Sequence, residues 1–114
     1  MSTPHIKTAI PKRRYQYGEF LVSVLGEIDS DDPVDYRWIF AVGMETDPAP
    51  NLFLSAEREN PSNREYALRV SMADGEQILG HSERWHDLDA FITDALEIVG
   101  RMLKLEDEAP HRLM

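Results

Sequence analysis

The chain has 114 residues, the usual length of one domain, and its hydrophobic fraction of 42% is that of a folded protein. It contains no cysteine, which excludes a disulfide scaffold, a thiolate zinc site and a cysteine nucleophile. The formal net charge is −9, and no apolar run approaches the roughly 18 residues of a membrane span. These properties predict a cytoplasmic protein that does not contact a membrane.

The charge is divided unevenly along the chain. The first 14 residues contain no acid and four cations, which are Lys7, Lys12, Arg13 and Arg14. The remaining 100 residues contain 21 acids and 8 cations, a formal charge of −13. Pro4 and Pro11 exclude a continuous helix in this first segment, and no hydrophobic period is present. We therefore predict that residues 1–14 form a flexible basic arm whose four cations are candidate partner contacts.

Strands are predicted next, because apolar residues alternate with polar ones. The alternation covers residues 15–28, 35–45, 52–58 and 65–73. The dipeptide Asp74–Gly75 favours a type I′ turn into a weaker fifth strand at 76–81. The connections of about four to seven residues are too short for parallel crossovers. The sequence thus predicts an antiparallel meander of four to five strands.

One face of this predicted sheet is strongly apolar. It collects Phe20, Val22, Val24, Ile28, Tyr36, Trp38, Phe40, Val42, Met44, Leu52, Leu54, Tyr66, Leu68, Val70 and Met72. Fully burying an apolar side chain contributes about 1.5–3 kcal/mol, so this set is large enough for the core of a small domain. We expect an amphipathic helix to cover it.

That helix is predicted over residues 88–105, where apolar residues recur at steps of three and four. Asp87 is the expected N-cap, and Glu97 and Arg101 are spaced to form an i,i+4 ion pair. Gly100 costs about 1 kcal/mol relative to alanine inside a helix, which suggests a close backbone approach there. Residues 15–106 are therefore assigned to a single α+β domain, and residues 107–114 to a frayed tail.

The other face of the predicted sheet, called the second face below, is mixed in character. It carries a candidate interaction surface of Leu21, Leu25, Arg37, Ile39, Phe53 and Arg69. One helix covers only one face of a sheet, so no predicted element covers this surface. Isolated apolar residues are tolerated in water, which leaves three alternatives for this surface: solvent exposure, a second copy of the chain, or a ligand.

No residue pattern in the chain indicates catalysis or a metal site. His81, Glu83 and His86 lie close in sequence, but their spacing is not that of a known metal site. The acidic stretch 29–35 lacks the glycine and the glutamate that a calcium-binding EF-hand loop requires. Nucleophile-elbow, phosphate-loop, dinucleotide and zinc-protease motifs are absent from the sequence. We predict no catalytic residue, no metal and no cofactor, and hence a non-enzymatic protein.

Two functions remain as hypotheses. The leading one is a small protein–protein interaction domain that forms a homodimer through the second face or the helix. The alternative is a single-stranded nucleic-acid-binding regulator, because four strands followed by a helix resemble the layout of PC4 and Whirly-type DNA-binding regulators. This resemblance is one of element order only, and the charge of −13 on residues 15–114 opposes a phosphate backbone.

Overall fold

The computed structural model describes residues 3–114, apart from the side chain of Pro48. It contains an antiparallel sheet of seven strands and one α-helix. The elements are β1 (Ile6–Tyr17), β2 (Phe20–Ser30), β3 (Asp35–Met44), β4 (Asp47–Arg58), β5 (Tyr66–Met72), β6 (Gly75–Ser82), a 3-10 turn (Glu83–His86), α1 (Leu88–Met102) and β7 (His111–Arg112). The strands lie in the order β6-β5-β4-β3-β2-β1-β7. The predicted α+β class, antiparallel sheet and C-terminal helix are confirmed, whereas the predicted strand count is too low.

The predicted flexible arm is wrong for residues 6–14, which form most of β1 and pair with β2. The prolines did not prevent a strand, because β1 lies near the sheet edge, where a missing backbone donor is tolerated. Gly18 then turns the chain at a positive φ of 59°, so the predicted strand 15–28 is the end of β1 followed by β2. Met1 and Ser2 of the predicted arm lie outside the described residues.

Two predicted turns also differ from the structure. The strand predicted from residue 52 begins at Asp47, because pairing with β3 shifts from Met44–Asp47 to Val42–Leu52. Residues 48–51 are thus extended without regular partners on β3, so Pro50 interrupts no ladder there. The tight hairpin between β5 and β6 is present, but Met72 pairs with Gly75, so its central residues are Ala73 and Asp74 and not the predicted Asp74 and Gly75. It is not type I′, because neither central residue has a positive φ.

Helix α1 packs on the apolar face of the sheet, called the helix face below. Phe91 and Val99 are fully buried there, and the Phe91 ring meets Phe40 edge-on with 6.4 Å between centroids. The predicted N-cap is confirmed, since the Asp87 carboxylate accepts a 2.9 Å hydrogen bond from the Ala90 backbone. The helix ends at Met102, three residues earlier than predicted. This arrangement encloses the main core.

A close contact at Gly100 explains the glycine inside the helix. A Cβ atom placed on Gly100 would lie 2.5 Å from the hydroxyl oxygen of Tyr17, which is too close for any real side chain. Tyr17 is buried at the end of β1, and its hydroxyl donates to the Leu105 carbonyl at 3.4 Å. Gly100 therefore lets α1 approach β1.

The predicted frayed tail is also partly wrong. His111 and Arg112 form β7, which pairs with Gln16 and Tyr15 at the end of β1. The Leu113 backbone continues this contact by donating to the Arg14 carbonyl at 2.7 Å. The C-terminal segment therefore covers part of the β1 edge.

Candidate functional site

The candidate interaction surface is not a single open patch. Ile39 is 0% exposed, while Leu21, Leu25 and Phe53 are only half-buried. The chain itself covers part of the second face, where a cavity of about 270 Å³ lies between the sheet and irregular segments. One wall is the sheet, and the other is formed by Thr3, Pro4, Asp32, Pro33 and Val34. The expectation that nothing covers this face is therefore wrong for the part around Glu57, although the cover consists of irregular segments and not of a helix or strand.

A β-bulge in β3 changes which side chains face this cavity. Tyr36 pairs with Glu57 and Trp38 pairs with Ala56, so Arg37 is the extra residue between them. Arg37 consequently lies on the helix face, where its guanidinium stacks on Trp38 with 4.4 Å to the ring centroid. Tyr36, predicted for the helix face, lines the cavity instead. The extra residue thus places Tyr36 and Arg37 on the faces opposite to those predicted from strict alternation.

The cavity contains a buried ion pair. The Glu57 side chain is 4% exposed, and its Oε1 accepts hydrogen bonds from Arg69 Nε and, at 3.3 Å, from the Ser55 hydroxyl. Arg69 also contacts Glu76, with 2.9 Å between Nη1 and Oε1. Burial acts to lower the pKa of Arg69, but the hydrogen bond and charge of Glu57 outweigh it and raise the pKa. Arg69, predicted as an interaction residue, is partly exposed and is bound by two carboxylates of the same chain.

A second polar contact holds the N-terminal segment against this face. Tyr36 donates to Asp32 Oδ2 at 2.6 Å, and the His5 backbone donates to the same oxygen at 3.0 Å. Burial and the hydrogen bond to Asp32 raise the pKa of Tyr36. Burial acts to raise the pKa of Asp32, but the hydrogen bonds from Tyr36 and His5 outweigh it and lower the pKa. These contacts fix residues 3–5 at the wall of the cavity.

The four cations of the predicted arm do not form one patch for a partner. Lys7 pairs with Asp31 at 2.9 Å, and Lys12 pairs with Glu27 at 2.6 Å. The Arg13 guanidinium donates to a backbone carbonyl of its own strand at 2.7 Å, and the Arg14 carbonyl accepts from the tail. Two of the four cations are thus neutralised by acids of β2 and the β2–β3 connection.

The two edges of the sheet differ in what they leave exposed. Strand β6 forms one edge, where Ile78 is 37% exposed and Leu79 is 42% exposed. Leu79 is a bulge residue, because Ile78 pairs with Arg69 and Gly80 pairs with Leu68. The outer side of β6 has no strand partner among residues 3–114. This edge was not predicted because β6 is the weakest predicted strand, although the adjacent apolar residues Ile78 and Leu79 are visible in the sequence between Gln77 and Gly80.

The opposite edge is shielded. β1 contains Pro11 and shows three irregularities in its pairing with β2, and β7 covers its end. Prolines, lysines and bulges are common means of blocking an exposed strand edge. The β6 edge has the bulge at Leu79, but it lacks proline and lysine and no strand covers it among residues 3–114.

A comparison with protein-family models, with curated proteins and with solved structures finds no match to this chain. Among residues 3–114, no helix is both long and apolar enough to cross a membrane. In the same part of the chain, no group of three or more histidines and acidic residues is arranged to hold a metal ion.

Proposed function

We propose that the protein is a small interaction domain that forms a homodimer through the outer edge of β6. The exposed pair Ile78 and Leu79 on this edge, which no strand covers among residues 3–114, carries the proposal. An edge strand presents unpaired backbone donors and acceptors, which bind a second strand in register. A second copy of the same edge supplies such a strand and forms a closed twofold interface.

The side chains of β6 suit a particular antiparallel register between two copies. In it, Ile78 lies opposite the second copy's Leu79, and Glu76 lies opposite the second copy's His81. Glu76, Ile78 and His81 are paired with second-face residues of β5, and the bulge at Leu79 keeps opposed side chains on the same face. The proposed interface thus contains two contacts between Ile78 and the second copy's Leu79, and two contacts between the Glu76 carboxylate and the second copy's His81 imidazole.

The nucleic-acid alternative receives less support from the contacts. Lys7 and Lys12 of the predicted arm are bonded to carboxylates of the same chain. Trp38 and Tyr66 are buried, and each lies under an arginine, so neither ring is open for stacking on a base. The acidic charge of the chain opposes phosphate binding over a long surface.

Light scattering coupled to size-exclusion chromatography tests the homodimer. We expect the unmodified chain to run with the mass of two chains, and Leu79→Lys to weaken the dimer at least about tenfold by placing like charges near the twofold axis. Ile10→Lys is the matched control, because Ile10 is 48% exposed in β1, the strand at the shielded edge. It should leave the dimer unchanged.

Amide hydrogen exchange measured on the same samples locates the interface. Protection of the β6 amides should increase with protein concentration, and the β1 amides should not respond. A monomer at high concentration would refute the proposal, and so would a dimer that Leu79→Lys leaves intact.

A further inference from the structure

A groove on the helix face gathers positive charge in an otherwise acidic chain. It has a volume of about 580 Å³ and lies beside the start of α1. Its charged and ring-bearing lining residues are Lys12, Glu27, Asp35, Tyr36, Arg37, Trp38, Arg58, Tyr66 and His86. With histidine neutral, three cations and two acids give the groove a formal charge of +1, against −9 for the whole chain.

Two of these cations are held rigidly over aromatic rings. The Arg37 guanidinium carbon lies 4.4 Å from the Trp38 ring centroid, and that of Arg58 lies 4.8 Å from the Tyr66 ring centroid. Cation–π stacking and hydrogen bonds fix both guanidiniums before any ligand arrives. A preorganised donor loses little conformational freedom on binding, which favours affinity.

The hydrogen bonds leave donors free on both arginines. Arg37 uses Nε to donate to the His86 carbonyl at 3.2 Å, and its two Nη groups have no partner within residues 3–114. Arg58 donates from Nε to Asp35 at 2.8 Å and from Nη1 to the Asn63 carbonyl at 2.8 Å. Its Nη2 group has no partner in the same range.

The two acids of the groove are already neutralised. Asp35 is paired with Arg58, and Glu27 is paired with Lys12 at 2.6 Å. Of the three cations that line the groove, Arg37 is therefore the one without an ion-pair partner among residues 3–114. The uncompensated positive charge of the groove is therefore that of the planar Arg37 guanidinium, whose two adjacent Nη groups are free to donate hydrogen bonds. This geometry matches a bidentate oxyanion.

We propose that this groove binds the phosphate group of a small phosphate monoester. Arg37 contacts two phosphate oxygens, and Arg58 Nη2 supplies a further donor from the neighbouring strand. The groove volume lies within the range of small-molecule sites, so it accommodates the organic part of the ligand as well. The site lies on the helix face, and the proposal is independent of self-association through β6.

Calorimetric titration at low ionic strength tests the site, with inorganic phosphate and adenosine monophosphate as probes. Both should bind saturably, and Arg37→Gln should weaken binding at least about tenfold, the size expected for charged hydrogen bonds. Arg101→Gln is the control, because Arg101 is an exposed arginine of α1 outside the groove. It should bind both probes as the unmodified chain does. Thermal unfolding of each variant establishes that it is folded.

The variant Arg37→Lys separates charge from geometry. Lysine keeps the positive charge but lacks the planar pair of donors, so its affinity should fall between those of arginine and glutamine. Absence of saturable binding by either probe would overturn the proposal, as would binding that Arg37→Gln leaves unchanged. A short single-stranded oligonucleotide that bound much more tightly than the monophosphate would reassign the groove to nucleic acid and equally overturn it.

Discussion

The two faces of the sheet are buried by different means. The helix face is covered by α1, and its core consists of apolar side chains such as Phe40 and Phe91. The second face is covered in part by residues 3–5 and the β2–β3 connection, and its buried groups include Ser55, Glu57 and Ser71. The buried groups of one face are therefore apolar, whereas those of the other include an ion pair with its hydrogen bonds.

This difference shows that burial does not require a second layer of secondary structure. Short irregular segments shield charged groups once each group has a partner, as Glu57 has in Arg69. Apolar packing tolerates few voids, whereas a polar cluster depends on every partner being present. The two faces should consequently respond differently to substitution.

The largest effect is expected on the helix face. Phe91→Ala removes a fully buried ring between α1 and the sheet, and should lower the free energy of unfolding by about 3–5 kcal/mol. Urea unfolding followed by fluorescence measures the change. A loss below that of the second-face substitution described next would break the comparison between the faces.

On the second face, Glu57→Met leaves Arg69 without its buried partner. The guanidinium is partly exposed and keeps Glu76, so we expect a loss of about 2–3 kcal/mol, less than for a fully buried pair. The double variant Glu57→Met with Arg69→Met should recover much of this loss, because no unpaired charge remains. If the double variant were the less stable one, the ion pair itself would be the stabilising element.

A smaller change in stability is expected where α1 meets β1, and its sign should depend on the side chain at position 17. Gly100→Ala gains about 1 kcal/mol of helix propensity but forces the Tyr17 hydroxyl away, and overpacking costs about 1–3 kcal/mol. The substitution should therefore be neutral or destabilising. In a Tyr17→Phe background the nearest atom is gone, so the same change should become stabilising. Thermal unfolding of the four chains tests this reversal.

The smallest effect concerns an ion pair near the start of α1. Arg84 donates to Asp94 from Nε at 2.8 Å, and Trp85 donates to it at 2.7 Å. The hydrogen bonds from Arg84, aided by Trp85 and opposed by burial, lower the pKa of Asp94 below its ordinary 3.8. A lowered folded pKa stabilises the fold above that ordinary value, and the contribution is lost as pH falls through the folded pKa.

Asp94→Asn removes this titration. The variant should be slightly less stable than the unmodified chain at neutral pH, and the two stability curves should converge as pH falls below about 4. Urea unfolding at a series of pH values measures the convergence. A constant difference across the acid range would show that the Asp94 charge does not contribute.

Contacts within one helix were predictable from residue patterns, whereas the candidate sites were not. The helix N-cap at Asp87 and the Glu97–Arg101 pair follow from spacing along one helix, and both are present. The exchange of Tyr36 and Arg37 between faces was not predictable, because a single bulge residue shifts every face assignment beyond it. The groove at Arg37 depends on that bulge, and so it could not be derived from alternation.

The sequence by itself determined the α+β class, the meander order and the apolar face under α1, since these follow from local periodicity and short connections. Only the tertiary structure decided that residues 6–14 join the sheet, because a polar edge strand resembles a loop until a neighbouring strand supplies its hydrogen bonds. It also decided that residues 3–5 and the β2–β3 connection cover part of the second face beside Glu57. This cover depends on contacts such as that of His5 with Asp32, 27 residues apart in sequence, and no local pattern encodes such contacts.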